Sequence, residues 1–369
     1  MTTKTAERAA AQVTESTSLR RLEMVRRLWA WVFLVILVVF FTVAAKSLND
    51  TNFLSARSIQ GILVYATQIL LVGLGQTLVI ITGGIDLSVG WTLGLAAVVA
   101  ALVMQALHAA EVSPVLVITA GALAGLAVSL IPGFINGWLV ARVKVPPFIG
   151  TLGMGGVVTG AAFLLSGGYP IAKQPPYLGQ LGNGYLIYLW PGQGVTFLSP
   201  PPDLAGEQLR ELVPLIPNVV FVTAIVVLLV WFVLSQTQFG RHIYAVGGNF
   251  EAAVRAGIPV RRTLIQVYIL AGLMAGVGGV LWAARFTSGA PDAGETTTLT
   301  AVAAVVIGGA SLFGGEGTIV GTLVGSLIIA IIQFGMVILG IVPFWQYVAV
   351  GTVVILAVVV DQFGRALGK

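Results

Sequence analysis

The run Gly75–Gly90, with the sequence GQTLVIITGGIDLSVG, decides the fold of this chain. Its Asp86 is the only formally charged residue between Arg57 and Glu111. Such a long uncharged stretch belongs in lipid, where an ionisable side chain is costly and usually has a function. The run therefore predicts a protein that spans a membrane.

The polar end of the same run predicts a turn between two spans. Gly83 and Gly84 indicate the end of one helix and a tight turn. Asp86 and Ser88 indicate the capped start of the next helix. We expect the Asp86 carboxylate to accept the backbone N–H of Ser88 or Val89, which makes its role structural. The alternative is a proton or sodium site of a secondary transporter, for which no other predicted span supplies a charged partner.

The composition agrees with this prediction over the whole chain. Hydrophobic residues make up 57% of the 369 residues and charged residues only 9%, against roughly 25% charged residues in an ordinary globular protein. The 46 glycines suit transmembrane helices that pack closely. The absence of cysteine excludes disulfides, thiolate metal sites and cysteine nucleophiles. We predict an all-α, polytopic membrane protein, and we attribute the net charge of +5 to its loops rather than to nucleic-acid binding.

Apolar stretches of about 20 residues predict about ten transmembrane helices. The predicted spans are 28–45, 59–82, 87–110, 114–141, 145–166, 217–237, 264–284, 299–313, 318–339 and 343–360. The first is longer than the apolar core of a signal peptide, so we expect it to be retained. The eighth is short, and a broken or re-entrant helix is an alternative there, which only a surrounding of protein tolerates.

The distribution of Lys and Arg predicts the orientation of these spans. The predicted transmembrane domain is 28–365. Of the chain's 19 basic residues, 14 lie on one side of the membrane if the N-terminal tail 1–27, residues 142–144, residues 238–263 and the C-terminus all lie inside. Since basic loops stay in the cytoplasm, we predict that both termini are cytoplasmic. Residues 167–216 then form a periplasmic loop, in which many prolines and glycines argue against helices. This loop either only connects two spans, or docks an external partner and partly covers the entrance.

The cytoplasmic segment 238–263 contains the signals of a short, capped helix. Asn249 is a good N-cap, Glu251 suits the positive first turn, and Arg255 suits the last turn. Gly257, with a proline two residues later, is placed to end the helix. The sequence therefore predicts a helix over 250–256.

A helix of this length is not stable alone in water, so it needs a partner. We expect it to dock on a cytoplasmic protein. Phe250, Ala252 and Ala253 supply the packing in this prediction, and Arg255 supplies a charged contact at the rim. The alternative is a helix that rests on the lipid surface.

The glycine-rich run Ala304–Gly325 does not form a phosphate-binding loop. No Gly-Lys-Ser/Thr sequence occurs anywhere in the chain, so a P-loop is excluded. Close helix packing explains these glycines better. His108 and His242 stand alone in the sequence, so we expect no catalytic site, no metal site and no bound cofactor in this chain.

Three runs carry a resemblance to one transporter family. Gly75–Gly90, Ala245–Val260 and Ala304–Gly325 resemble the most recognisable segments of the ribose-type sugar ABC permeases. These proteins are the membrane subunits of bacterial importers for ribose, xylose, galactosides and related sugars. The resemblance covers most of residues 30–365, with the spans in matching order. Such permeases tend to have Glu-Leu-Asp-Ala where this chain has the four residues that begin with Thr298.

The resemblance implies a function and a set of partners. It implies an inner-membrane permease that carries a pentose or hexose, with residues 249–257 as the coupling helix that docks on a separate ABC ATPase subunit. That subunit binds the ATP. A periplasmic sugar-binding protein delivers the sugar, and the permease pairs with a second copy or a paralogue. The alternatives are a nucleoside-type ABC permease and an ion-coupled secondary transporter.

Polar and aromatic side chains within the predicted spans are candidates for lining the sugar's path, because sugars need hydroxyl partners and flat apolar surfaces. The candidates are Tyr65, Gln68, Gln76, Trp91, Asn136 and Gln333. The alternative for each is a hydrogen bond that holds two helices together.

Overall fold

The computed structural model describes residues 29–191, 194–201 and 212–366. Within these ranges eight helices are long and apolar enough to cross a membrane, and strands are few. The prediction of a polytopic, helical membrane protein is confirmed. The predicted tail 1–27 lies outside the described residues, as does part of the predicted loop 167–216.

The helices and strands are numbered here in chain order. The helices are α1 (Trp29–Asn49), α2 (Ala56–Ile81), α3 (Val89–Ala109), α4 (Pro114–Trp138), α5 (Pro147–Ser166), α6 (Pro176–Asn183), α7 (Asn218–Gln236), α8 (Gln238–Gly248), α9 (Phe250–Arg255), α10 (Val260–Phe286), α11 (Thr297–Ile307), α12 (Ile319–Ile338) and α13 (Phe344–Ala366). The strands are β1 (Ile187–Trp190), β2 (Gly194–Phe197) and β3 (Val213–Pro214). A π turn, Leu139–Val143, extends α4. The predicted number of ten spans and the side on which the termini lie stay predictions.

Hydroxyl caps and prolines set the starts of the spanning helices. The Ser55 hydroxyl accepts the backbone N–H of Ser58 at 3.2 Å at the start of α2. The Thr318 hydroxyl accepts that of Gly321 at 3.0 Å at the start of α12. Helices α4 and α5 each begin with a proline, whose missing N–H costs nothing in the first turn. The helix boundaries therefore follow from local sequence.

Helices α2, α3, α4 and α10 form the centre of the bundle. Small residues bring their backbones together, since a Cβ at Gly75 of α2 would lie 2.8 Å from the Cα of Ala271 in α10. One at Gly133 of α4 would lie 2.6 Å from the Tyr268 carbonyl oxygen. Helices α1, α5 and α7 expose many apolar side chains, as expected of helices at the lipid boundary.

The predicted eighth span, 299–313, is broken. Residues 287–296 are not helical and run antiparallel alongside α3, from Ala101 near its middle to Gly90 at its start. Helix α11 then begins at Thr297 and ends at Ile307, and turns follow. The Thr298 hydroxyl accepts the N–H of Gly90 at 2.9 Å and so ties α11 to α3. Within the described chain, non-helical backbone therefore lies at the height of a spanning helix.

The prediction that the loop 167–216 contains no helix is wrong. Helix α6 starts at Pro176, where a proline begins a helix instead of breaking it. Strand β1 pairs with β2 and β3 in a three-stranded antiparallel sheet. The Asn183 amide donates to the Arg285 carbonyl at 2.8 Å, and the Gln60 amide donates to the Pro214 carbonyl at 2.6 Å. The loop is thus fastened to the spans.

Candidate functional site

One end of the bundle gathers the loops that the basic residues predict to be cytoplasmic, and we call it the predicted cytoplasmic end. The Gly315 N–H donates to the Ile81 carbonyl at 2.8 Å. The Tyr244 hydroxyl of α8 donates to the Gly317 carbonyl at 2.7 Å. Burial raises the pKa of Tyr244, so its hydroxyl stays a donor. These bonds join α8 and the loop after α11 to the end of α2.

The Asp86 turn, residues 82–88, follows α2 directly, and its Asp86 and Ser88 are buried. Helix α2 ends at Ile81, and Gly83 has a positive φ of 81° that favours glycine. The Asp86 Oδ1 accepts the Ser88 N–H at 2.8 Å and the Ser88 hydroxyl at 2.6 Å. The first of these bonds is one that the sequence predicts. A purely structural role for Asp86 stays a prediction.

Three helices hold the Asp86 turn from outside. The Gln76 amide of α2 donates to the Asp86 carbonyl. The Asn136 amide of α4 donates to the Ser88 hydroxyl at 2.8 Å. Thr151 of α5 accepts the Leu87 N–H at 3.0 Å, a partner that sequence reasoning missed because a lone threonine in an apolar helix carries no distinct signal. The turn therefore connects helices far apart in the chain.

The six predicted path residues do not form a single site in the described chain. Gln76 and Asn136 meet at the Asp86 turn. Tyr65 instead stacks edge-on against Phe334, and the Arg285 guanidinium lies 5.7 Å from its ring centre. Trp91 packs on α5, and Gln68 and Gln333 are half-buried in α2 and α12. Whether any of the six contacts a transported molecule stays a prediction.

The break before α11 carries polar groups that sequence reasoning missed. Asp292, Glu295 and Thr296 are exposed, although their backbone runs beside α3. Non-helical backbone at this height is tolerated where it is buried in protein or lines water. Exposed carboxylates need water, so this segment faces an aqueous space. The sequence signal that could have identified this segment is the pair Asp292 and Glu295, placed just before an apolar stretch that is too short to span a membrane.

Helix α9 has the caps that the sequence predicts. The Asn249 Oδ1 accepts the Ala252 N–H at 2.9 Å. Gly257 has a positive φ of 76°, and its N–H donates to the Val254 carbonyl at 3.1 Å. The Ile258 N–H donates to the Ala253 carbonyl at 3.1 Å, which completes a Schellman ending. The helix is one residue shorter than predicted, Phe250–Arg255.

The prediction that Ala253 packs against a partner is contradicted. Ala253 is only 3% exposed and packs on Val260 and Leu264 of this chain. The exposed large apolar side chains of α9 are Phe250, 55% exposed, and Val254, 52% exposed, and Ala252 is exposed beside them. Glu251 and Arg255 form an exposed ion pair at 3.2 Å. Helix α9 thus presents Phe250 and Val254 to its surroundings.

A cavity of about 880 Å³ lies beside α9. Its walls are Phe250 and Val254, the turn between α4 and α5, and the first turns of α10, and its floor is Tyr268 with the glycines of the Asp86 turn. Four basic side chains line it, namely Arg142, Lys144, Arg261 and Arg262. We call it the basic cavity. Among the described residues, no group of three His, Asp or Glu side chains is placed to hold a metal ion.

Comparisons with known proteins agree with this architecture. The family model described as branched-chain amino acid transport system / permease component matches residues 58–359. A fructose import permease of Rhizobium meliloti is 37% identical over 336 residues, 90% of this chain and 85% of the relative. A ribose import permease of Bacillus subtilis is 37% identical over 344 residues, 92% of this chain and 94% of the relative.

An L-arabinose ABC transporter permease of Azospirillum brasilense is 37% identical over 334 residues, 90% of this chain and 87% of the relative. No solved structure matches the chain. The family match and the described spans lead to the same conclusion: the chain belongs to this family of permease components of transport systems, and it is a multi-pass protein of the bacterial inner membrane.

Proposed function

We propose that this chain is the membrane permease of an ABC importer that carries a monosaccharide, a pentose or a hexose. One observation supports this most strongly: relatives named for the import of fructose, ribose and arabinose match at least 90% of the chain. The chain itself hydrolyses no ATP in this proposal. A separate ATPase subunit binds the nucleotide and drives transport.

The ATPase docks on α9 in this proposal. Phe250 and Val254 are large apolar side chains that project from a capped helix outside the spans. A helix of six residues keeps its shape only when both ends and one face are held. Ala253 fixes the inner face to the permease, so a movement imposed on the outer face is transmitted to α10.

The sugar passes the break before α11 in this proposal. The Asp292 and Glu295 carboxylates are exposed there, on non-helical backbone. Carboxylates accept hydrogen bonds from sugar hydroxyls. This pair takes the place of the acidic residues that such permeases tend to have at the position of Thr298.

A periplasmic binding protein delivers the sugar to the opposite end of the bundle. The fastened loop there presents the exposed aromatic side chains Tyr169 and Phe197 beside α6 and the hairpin. Tyrosine and phenylalanine are favoured in protein interfaces. The loop is therefore our candidate docking surface for that partner.

The permease pairs with a second copy or a paralogue through α5. Gly153, Gly156 and Gly160 lie on one face of this helix, and a Cβ at any of them would meet no atom of the described residues. Gly156 and Gly160 have the spacing at which two transmembrane helices approach closely. The neighbouring Leu164 is the most exposed large side chain of this helix.

Uptake into proteoliposomes tests this function. The chain is reconstituted with the ATPase and binding protein encoded beside its gene, and the uptake of labelled fructose, ribose, arabinose, galactose and nucleosides is measured. We expect uptake of a pentose or hexose that needs both partners and ATP. Uptake of nucleosides alone contradicts the substrate class. Sugar uptake driven by an ion gradient without the ATPase contradicts the mechanism.

The same assay tests the path. The double variant Asp292→Asn, Glu295→Gln should raise the half-saturating sugar concentration about tenfold, because two hydrogen bonds to charged groups are weakened. Glu111→Gln, a change of an exposed carboxylate in the turn between α3 and α4, is the matched control and should leave uptake unchanged. Equal effects of the two changes place the path elsewhere.

A further inference from the structure

The basic cavity gathers four positive charges where the spanning helices end, at the predicted cytoplasmic end of the bundle. Arg142 and Lys144 follow α4, while Arg261 and Arg262 lie in the first turn of α10. No acidic side chain among the described residues lines the cavity, and none of these four cations has an ion pair within the described chain. Four cations around one space attract an anion.

The start of α10 points to the same ligand charge. This helix of 27 residues has no side-chain cap and no acidic residue in its first turn. The start of a helix carries a partial positive charge, which favours a nearby anion. The two arginines add positive charge there, so the repulsion is relieved only when an anion lies between them. The sequence thus leaves a deficit of negative charge at this position.

A buried polar atom marks the floor of the cavity. The Tyr268 hydroxyl is buried and has no hydrogen-bond partner among the described residues. Tyr268 lies eight residues after Val260, about 12 Å along α10 from its start. The cavity therefore extends from the end of the bundle into the part of α10 that spans the membrane. A ligand group that accepts a hydrogen bond removes the cost of leaving this hydroxyl unpaired.

The outer surface next to the cavity is apolar and continues along α4. Ile131, Phe134 and Trp138 are exposed at helical spacing, and Arg142 follows at the next step of the same stripe. Exposed apolar side chains of a spanning helix face lipid, and a basic side chain at their end meets the headgroups. The stripe therefore leads acyl chains to the cavity.

We infer that the basic cavity binds the headgroup of an anionic phospholipid of the cytoplasmic leaflet. The phosphate lies among Arg142, Lys144, Arg261 and Arg262, the Tyr268 hydroxyl donates to a headgroup oxygen, and the acyl chains follow the α4 stripe. Basic pockets between transmembrane helices on this side of a membrane bind such lipids. Phe250 and Val254 of α9 line the cavity, so a bound lipid braces α9 from the membrane side. This site is separate from the sugar path and does not depend on which substrate is carried.

An acidic side chain of the ATPase is the competing occupant. A soluble partner approaches α9 from the cytoplasm, where Phe250 and Val254 lie in its way, whereas a phospholipid enters the cavity from the side. The depth of the cavity at Tyr268 therefore favours the lipid.

Lipid titration of the purified full-length permease tests the site. The binding of phosphatidylglycerol and of phosphatidylcholine with the same acyl chains is measured by native mass spectrometry. We expect phosphatidylglycerol to bind the unchanged permease more tightly than phosphatidylcholine. Arg262→Gln should weaken phosphatidylglycerol binding about 5-fold, and Arg261→Gln with Arg262→Gln about 30-fold.

Control variants separate the site from general effects. Arg241→Gln removes an exposed cation of α8 at the same end of the bundle, outside the cavity, and should leave binding unchanged. Arg261→Lys with Arg262→Lys keeps the charge and should stay within a few-fold of the unchanged permease. If the double glutamine variant does not fold, Arg262→Gln and the double lysine variant still test whether the cavity binds the lipid.

Three outcomes overturn the proposal. The first is equal binding of the two lipids. The second is phosphatidylglycerol binding that survives the double glutamine change. The third is a double variant that binds lipid normally but no longer binds the ATPase, which assigns the cavity to the protein partner. Binding of glycerol phosphate as tight as that of the whole lipid would also contradict the proposal, because the acyl chains on the α4 stripe would then contribute nothing to binding.

Discussion

The Asp86 turn and helix α9 are built with the same local devices. In each, a side-chain oxygen caps a backbone N–H, from Asp86 in the turn and from Asn249 in the helix. In each, a glycine with positive φ makes the tight bend, Gly83 at 81° and Gly257 at 76°. The two segments differ in what surrounds them.

The Asp86 turn is bound on several sides by this chain, whereas α9 packs one face on it and leaves the other face exposed. Gln76, Asn136 and Thr151 bind the turn from three helices. Helix α9 buries Ala253 and leaves Phe250 and Val254 exposed. The same sequence signals therefore serve stability in one place and recognition in the other. We therefore expect substitutions in the turn to lower stability and substitutions on the exposed face of α9 to impair recognition. The predictions below run from the largest expected loss of stability to the smallest.

Gly90→Val should cause the largest loss. Gly90 lies in the first turn of α3 against the backbone of Gly294, so a side chain there overlaps atoms that cannot move without shifting the break before α11. We expect the free energy of unfolding to fall by more than about 3 kcal/mol. Unfolding of the purified permease in mixed detergent micelles measures it.

Gly351→Ala is the control for that change, because a Cβ there meets nothing in the part of the chain that the structure describes. It should leave the free energy of unfolding within about 0.5 kcal/mol of its original value. A stable Gly90→Val permease would show that the contact between α3 and the break before α11 is loose.

Asp86→Leu should lower the free energy of unfolding by between about 2 and 3 kcal/mol. The change leaves the Ser88 N–H and hydroxyl without their acceptor in a buried place. Asp86→Asn keeps an acceptor oxygen and should retain most stability and most transport. An Asp86→Asn permease that is as stable as before but no longer transports sugar would show that the negative charge itself has a function.

Local signals explain which features of the fold the sequence predicted. The caps of α9 and the bend at Gly83 depend on residues within a few positions, so their sequence identifies them. The direction in which Ala253 faces depends on α10 packing behind α9, which no local signal contains. The bond between Gly90 and Thr298 joins residues 208 positions apart. The short eighth span therefore predicts a break only as an alternative and does not place it beside α3.

Prolines and carboxylates differ from their predicted roles for a related reason. The prolines of the loop 167–216 predict no helix, although a proline at the first position of a helix favours one, as Pro176 does in α6. Asp292 and Glu295 fall between the predicted spans 264–284 and 299–313, so the sequence predicts only a connection there. Their position beside α3 became visible only with the tertiary structure.

Ala253→Trp should lower the free energy of unfolding by about 1 to 2 kcal/mol. Ala253 is buried against this chain, so a large side chain forces α9 away from α10. The cost is smaller than for Gly90→Val because α9 lies at the surface and can shift. Ala252→Trp is the matched control, since Ala252 is exposed on the same helix and should lose no more than about 0.5 kcal/mol. Equal losses for the two variants would contradict the observed orientation of α9.

The double variant Phe250→Ala, Val254→Ala should leave the stability of the permease unchanged and remove its coupling to the ATPase. Both side chains are more than half exposed, so the free energy of unfolding should change by no more than about 0.5 kcal/mol. Phe232→Ala, at an equally exposed position on the lipid-facing helix α7, is the control.

The most direct test of the account is ATP hydrolysis by the reconstituted importer, with and without the sugar-loaded binding protein. We expect the unchanged permease and Phe232→Ala to show hydrolysis stimulated by the sugar-loaded protein. The Phe250→Ala, Val254→Ala permease should fold normally and show none of that stimulation. Full stimulation with this double variant would contradict the claim that α9 couples the permease to its ATPase.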